Sequence, residues 1–433
     1  MTPEHLILWD VVEEHLEEAG FLNTARLSAL NDPEYTLREV ADGPEARMLA
    51  HLDGLVVAGP VAARRLFAKQ LDGFDEDRPE DLVAASAALF LLRDFEPLRE
   101  VLLSEGCSGR AAVVEGCSLF QDDDFSAWLR DVAQGGAHAP QVLTGLYALA
   151  YAHELQLGST LAGGYESAGL LRAALRLGRY GGVDLSLVEG LIRHEDALVC
   201  EEAVITGLHL GSPLAWRSCH ELGLAQPRAY PRLLLLTGAL GDQAELGALV
   251  ELVSGPHAAA AFRALGFSGS RSAVPTILSA LDHADLRVAK CAGEAFSTIT
   301  GCEITDDERS LEEPEEAEPP DFEDDDLDAD LVPSGEDALL LPDADAVRAW
   351  WAQHQDTLDP AERLLGGQRK EPALVLKALS DAPTHRRHLL ALELSVRSGG
   401  AARLDTYAVT GWQEEQLLRA TRTLFPIAPG VGA

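Results

Sequence analysis

Lysine is nearly missing from this chain. Of its 34 basic residues only Lys69, Lys290, Lys370 and Lys377 are lysines, and the 71 acids leave a net charge of −37. Phosphate backbones are held by basic side chains that displace counterions, so a surface of this sign argues against a nucleic-acid partner. The same sign disfavours an anionic membrane surface and favours a protein partner that is basic or carries a basic segment. Cysteine is scarce as well. Cys107, Cys117, Cys200, Cys219, Cys291 and Cys302 include no C-x-x-C pair and lie in or beside apolar segments, which reads as small buried thiols rather than a disulfide framework. Long apolar runs are absent: no 18-residue apolar stretch is free of charge, so no membrane-spanning helix and no membrane insertion are expected. The opening "MTPEHLILWDVVEEHLEEAG" has no basic start and carries acids in its apolar run, unlike a secretory leader. A soluble, cytoplasmic protein is the expectation.

Catalytic and cofactor signatures are missing too. There is no G-x-x-x-x-G-K-[ST], no G-x-G-x-x-G after a strand and no H-E-x-x-H, so no cofactor and no metal site are implied. The pairs His153/Glu154, His194/Glu195 and His220/Glu221 lack the second histidine and read as solvated pairs at helix ends. "GFSGSRS" (266–272) is misspaced for a nucleophile elbow and reads as an inter-helix loop. His385 and His388 could share a helix face, but Arg386 and Arg387 between them oppose a divalent cation.

What the chain has in abundance is helix. Segments such as "EDLVAASAALFLLRD" (80–94), "YPRLLLLTGALGD" (230–242) and "AVPTILSALDH" (273–283) space apolar residues at i, i+3, i+4 and i+7. The turns that end the first helix of each pair fall at Asp94, Asp122, Gly178, Gly211, Gly241 and Gly269, with gaps of 28, 56, 33, 30 and 28 residues. A further turn near Ala152 halves the long gap. Two helices repeating at a period near 30 predict an all-α α-solenoid of helical pairs. The expected organisation is an N-terminal helical cap over 1–75, the repeat solenoid over 76–302, an acidic disordered linker over 303–342 and a C-terminal helical block over 343–433.

The acidic segment "EEPEEAEPPDFEDDDLDADLVPSGED" (312–337) holds 14 acids in 26 residues and no Lys or Arg; without those acids the chain still carries −23. Prolines, acids and few apolar residues cannot bury enough surface to order a chain. Asp324, Asp325, Asp326, Asp328 and Asp330 are candidates for holding a basic partner. Asp326, Asp328, Asp330 and Asp337 imitate calcium-loop spacing, but Leu331 stands where that loop needs glycine. The adjacent Trp350 and Trp351 cannot both face one stripe of a helix, so one is expected to anchor the C-terminal block and the other either to be exposed and available to a partner or to cover the solenoid end. His51 and Asp53, beside Gly54, are two positions apart on a helix, so they point to different sides and do not form a dyad by themselves.

Residues 194–301 resemble HEAT-like repeats of the short, bilin-lyase type. Three places together, "RMLAHLDGLVVAG" (47–59), "AGEAFSTITG" (292–301) before an acidic stretch, and "AVRAWWAQHQDTLDPAERLLGGQ" (346–368) followed by "RRHLLALELSVRSG" (386–399), are similar to a proteobacterial HEAT-repeat family of unknown biochemical function. Its members are often encoded near type VI secretion clusters. His51, Asp53 and Gly54 belong to the motif that carries the likeness, and Val56 departs from the basic residue expected there. The resemblance brings no catalytic residue with it. It implies a helical repeat protein, cytoplasmic and accessory to effector handling. The leading expectation is a non-catalytic interaction scaffold or adaptor. An acidic, immunity-type inhibitor of a basic toxin and a lyase-like enzyme are the alternatives.

Overall fold

A computed structural model describes residues 7–135, 138–157, 167–305, 308–312 and 336–425. The fold is all-α, a succession of stacked helical pairs, with two very short antiparallel ribbons. The chain divides into two compact units, Met1–Ser218 with Ala378–Ala433, and Cys219–Lys377.

The first unit opens with α1 (Trp9–Ala29), α2 (Leu37–Val40), a π turn over Ala41–Glu45, α3 (Ala46–Ala58) and α4 (Pro60–Asp72). Pairs follow: α5 (Glu80–Leu91) with α6 (Glu96–Leu103), α7 (Arg110–Ser118) with α8 (Asp123–Gly135), then α9 (Pro140–Ala152), α10 (Ala168–Gly178) with α11 (Leu185–Leu191), and α12 (Ala197–His209). The boundary between units falls within α13 (Pro213–Ala225). The second unit holds α14 (Pro231–Leu240), α15 (Gln243–Leu252), α16 (Ala258–Ser268), α17 (Val274–Leu278) and α18 (Leu286–Thr300). It continues with β1 (Ser310–Leu311), β2 (Leu341–Pro342), α19 (Ala344–His354), β3 (Leu364–Leu365) and β4 (Gln368–Arg369). After α20 (Pro372–Asp381) the chain returns to the first unit as α21 (Thr384–Arg397) and α22 (Thr410–Leu424).

One helix of each pair stacks into a ladder. In the first unit α1, α5, α7, α9, α10 and α12 pack in sequence; in the second, α14, α16 and α18 do. The turns expected at Asp94, Asp122, Ala152, Gly178, Gly211, Gly241 and Gly269 all lie at the ends of these ladder helices. Ladder helices have neighbours on every side, so their burial is not a stripe. Leu82 through Phe90 of α5 and Val199 through His209 of α12 are buried without a break. Their partners are amphipathic: α8 buries Phe125, Leu129 and Ala133, one residue per turn. Aspartates that break the apolar pattern act as N-caps. Asp184, Asp196, Asp242, Asp285 and Asp343 each accept backbone N–H groups of the helix they precede. Close approach needs Gly238, where a Cβ would collide with the Ala264 carbonyl of the next ladder helix.

A ladder leaves the last carbonyls of every helix without partners, and each unit covers them with its own later residues. In the second unit the β3–β4 ribbon lies there. Arg363 donates to the Ala239 oxygen (2.9 Å) and to Gly241 at the end of α14. At the end of α16, the Leu364 N–H meets the Gly269 oxygen at 2.8 Å and Lys370 meets Phe267 at 2.7 Å. At the end of α18, the Gly366 and Gly367 N–H groups meet the Thr298 and Ile299 oxygens at 2.8 and 2.9 Å. In the first unit α21 and the loop after it do the same work at the ends of α1 and α9. Thr384 Oγ1 donates to the Ala29 oxygen at 2.6 Å and His388 Nε2 to Leu30 at 2.9 Å, closing the end of α1. Arg403 donates to the Tyr151 oxygen of α9, and His209, the last residue of α12, meets Ser395 Oγ at 2.9 Å.

Two features depart from the organisation expected of the sequence. The helices of residues 343–433 are shared between the units: α19 belongs to the second, α21 and α22 to the first. Leu311 pairs with Leu341 and Ser310 with Pro342, so both ends of the acidic segment emerge from one ribbon of the second unit. Residues 313–335, on which the linker expectation mainly falls, lie outside the described residues; the residues described on either side of them pair within the second unit. On the C-terminal side Glu336 accepts from Arg263 (3.2 Å) and Arg287 (2.5 Å), and Lys290 donates to the Asp337 carbonyl at 2.8 Å.

Candidate functional site

His51, Asp53 and Gly54 sit on α3, and the structure separates them. His51 and Gly54, three residues apart, face α1; Asp53 is exposed on another side, as its spacing predicts. His51 Nδ1 lies 3.1 Å from His15 Nδ1. A Cβ on Gly54 would lie 2.7 Å from His15 Cδ2 and Nε2, so glycine is the residue that admits the His15 ring. The spacing of His51 and Gly54 was visible in the sequence; their partner, 36 residues before His51, was not.

Trp350 and Trp351 are both half-buried and pack against the core of the second unit. Each indole meets Phe296 edge-on with ring centroids 5.9 Å apart. Trp350 also stacks on His354 at 4.2 Å. Asp324, Asp325, Asp326, Asp328 and Asp330 lie outside the described residues. Asp337, the fourth member of the calcium-like spacing, is exposed. Of "GFSGSRS", residues 266–268 end α16, and Ser270 and Ser272 lie in the turn that follows, so only its second half is the expected inter-helix loop. Ser268, Ser270 and Ser272 line a polar cleft of about 160 Å³ with Asp242, Glu362 and Arg363, small beside the several hundred Å³ typical of ligand pockets.

The histidine–glutamate pair at 153–154 is not solvated. His153 is buried, its Nε2 bonded to the Cys117 oxygen at 3.0 Å and its Nδ1 to Ser126 Oγ at 3.0 Å. Glu154 accepts from Gln416 (2.8 Å) and Arg419 (2.6 Å) of α22. His388 is held between Thr406 Oγ1 (2.7 Å) and the Leu30 carbonyl. Burial depresses the pKa of His209 and of His388 to about 4, with Arg179 and Arg387 respectively adding to it, so both imidazoles are neutral. Arg26 is buried at 1% exposure and donates to the Tyr407 and Ala408 carbonyls and to Asn23 Oδ1; Glu45, 3.9 Å away, accepts the Thr410 N–H. Burial raises the Glu45 pKa against the pull of its Thr410 bonds and of Arg26. Five of the six cysteines are buried, and burial pushes the Cys291 thiol up to about 12 and Cys302 to about 11, which keeps both as unreactive thiols.

Comparison with protein-family models, curated proteins and solved structures gives no match to this chain. The charge distribution is the remaining guide. Among the described residues, buried cations (Arg26, Arg110, Arg179, Lys290, Arg387) and buried acids (Glu45, Glu201, Glu202, Glu336, Glu393) are equal in number. The core is thus neutral and the excess acidity lies outside it. No helix among the described residues is long and apolar enough to cross a membrane.

Proposed function

We propose that this protein is a non-catalytic interaction scaffold that recognises a basic protein or a basic segment. The observation that carries the proposal is the placement of charge. Among the described residues the buried ions cancel, so their acid excess is displayed rather than consumed in the core, in a chain whose net charge is −37. A stacked helical array presents a rigid surface of many turns, and an acidic one steers a basic partner to it and rejects acidic competitors. Ladder carbonyl ends are taken by α21 and the loop after it at α1 and α9 in one unit, and by the β3–β4 ribbon in the other, which leaves the exposed flanks of the paired helices as the docking surface. The resemblance described above adds the secretion setting: the partner is a type VI effector or a component of its handling, and localisation is cytoplasmic.

The test is affinity capture from the native host at low and at high salt. The expected result is a basic protein released as ionic strength rises. Capture that ignores salt, or a captured protein that is acidic, contradicts the electrostatic reading. Absence of every secretion component and effector from the captured set contradicts the secretion setting alone.

A further inference from the structure

The contact between α1 and α3 contains two imidazoles that burial does not explain. Leu16, Leu52 and Leu55 provide the apolar core of that contact, each 1% exposed, while His15 and His51 beside them stay partly exposed. Their rings are 5.1 Å apart at 71°, and the two Nδ1 atoms face each other at 3.1 Å. Neutral rings hold that spacing with one proton: one Nδ1–H donates and the other Nδ1 accepts through its lone pair. Gly54 gives up a side chain so that the Nε2 edge of His15 can lie against α3. Two histidines and a glycine, from two helices, are arranged to bring two Nδ1 atoms to one point.

The geometry points to a site for one divalent late-transition-metal ion bridged by His15 Nδ1 and His51 Nδ1. At metal–nitrogen distances of ~2.0–2.1 Å, atoms 3.1 Å apart subtend about 100° at the metal, between the octahedral and tetrahedral angles. The ion takes the place of the shared proton. Both rings bind as neutral ligands through Nδ1: one already carries Nε2–H, and the other gives its Nδ1 proton to solvent and takes one back at Nε2, so the ring protons are conserved. Among the described residues no third His, Cys, Asp or Glu side chain joins them, so water completes the coordination and the site is open and exchangeable. Partial exposure of both rings gives the ion its path in, and the net −37 raises its local concentration. Nitrogen ligands select nickel, copper or zinc over calcium and magnesium, which take oxygen.

The test is a calorimetric titration of the full chain with Ni²⁺ in excess Mg²⁺, which occupies the many carboxylates, alongside ¹⁵N spectra of the histidine rings. The expected result is a tightest site of one ion per chain, with the Nδ1 resonances of His15 and His51 shifting together. His15→Gln and His51→Gln should each weaken that site at least ~10-fold. Gly54→Ala keeps both ligands but displaces the His15 ring, and should weaken the same site. If one variant fails to fold, the other variant and the wild-type ring resonances still decide. Absence of Mg²⁺-resistant binding, ring resonances that do not move, or a tightest site that survives both glutamine substitutions overturns the assignment.

Discussion

The two units solve one problem with different materials. Each has a ladder whose helices end in carbonyls that need donors. The second unit supplies them largely from backbone: the N–H groups of Leu364, Gly366 and Gly367 reach the ends of α16 and α18, with Arg363 and Lys370 adding cations that suit helix C-termini. The first unit supplies them mainly from side chains: Thr384, His388 and Arg403, while Arg26 of α1 donates the other way, to the Tyr407 and Ala408 carbonyls. Backbone closure depends on shape, so it should be damaged by steric change. Side-chain closure depends on the identity and ionisation of a few residues, so it should be damaged by point substitution and by acid.

The largest expected effect follows from that difference. Arg26→Met in the first unit removes the cation from a buried cluster and leaves Glu45 without it, which should cost about 3–5 kcal/mol in denaturant unfolding. A loss under ~1 kcal/mol would mean the cluster does not hold the first unit together. In the second unit the comparable sensitivity is steric. Gly238→Ala forces a methyl into the Ala264 carbonyl and should cost about 1–3 kcal/mol in the same measurement. No change there would show that α14 and α16 have room to separate.

Acid separates the units more finely. His209 and His388 belong to the first unit, and both titrate at about 4 when folded against about 6.5 when free. Between those values the unfolded chain binds more protons. Their contribution is complete above about pH 6.5 and is lost as pH falls toward 4. His388→Gln should therefore flatten the decline of melting temperature with falling pH over that window. An unchanged slope would remove His388 from the acid response. The smallest effect should come from the acidic segment. Replacing residues 313–335 by a short neutral bridge keeps Glu336, Asp337 and the β1–β2 pairing, and should leave thermal melting unaltered. A lower melting temperature would make the segment part of the fold.

The repeat was legible because its punctuation is local. Glycine and aspartate mark each turn within a few residues, and Asp196, Asp242 and Asp285 do so by capping the next helix. The return of α21 and α22 was not legible. Arg26 finds the Tyr407 carbonyl 381 residues away, and no period or motif records such a bond. The pairing that flanks the acidic segment rests on two-residue strands, too short to show alternation. Phe296, which accommodates both Trp350 and Trp351, lies more than fifty residues before them. For His51 and Gly54 the helical spacing was readable, and His15 alone was missing.

The most direct measurement is native-state hydrogen exchange across the first unit. If α21 and the loop leading to α22 close ends of its ladder, amides of Thr384–Arg397 and Thr410–Leu424 should open with the same free energy as those of Trp9–Ala29 and Ala197–His209. Exchange of α21 and α22 at a distinctly lower free energy, with α1 and α12 still protected, would make them a separate appendage and contradict the closure.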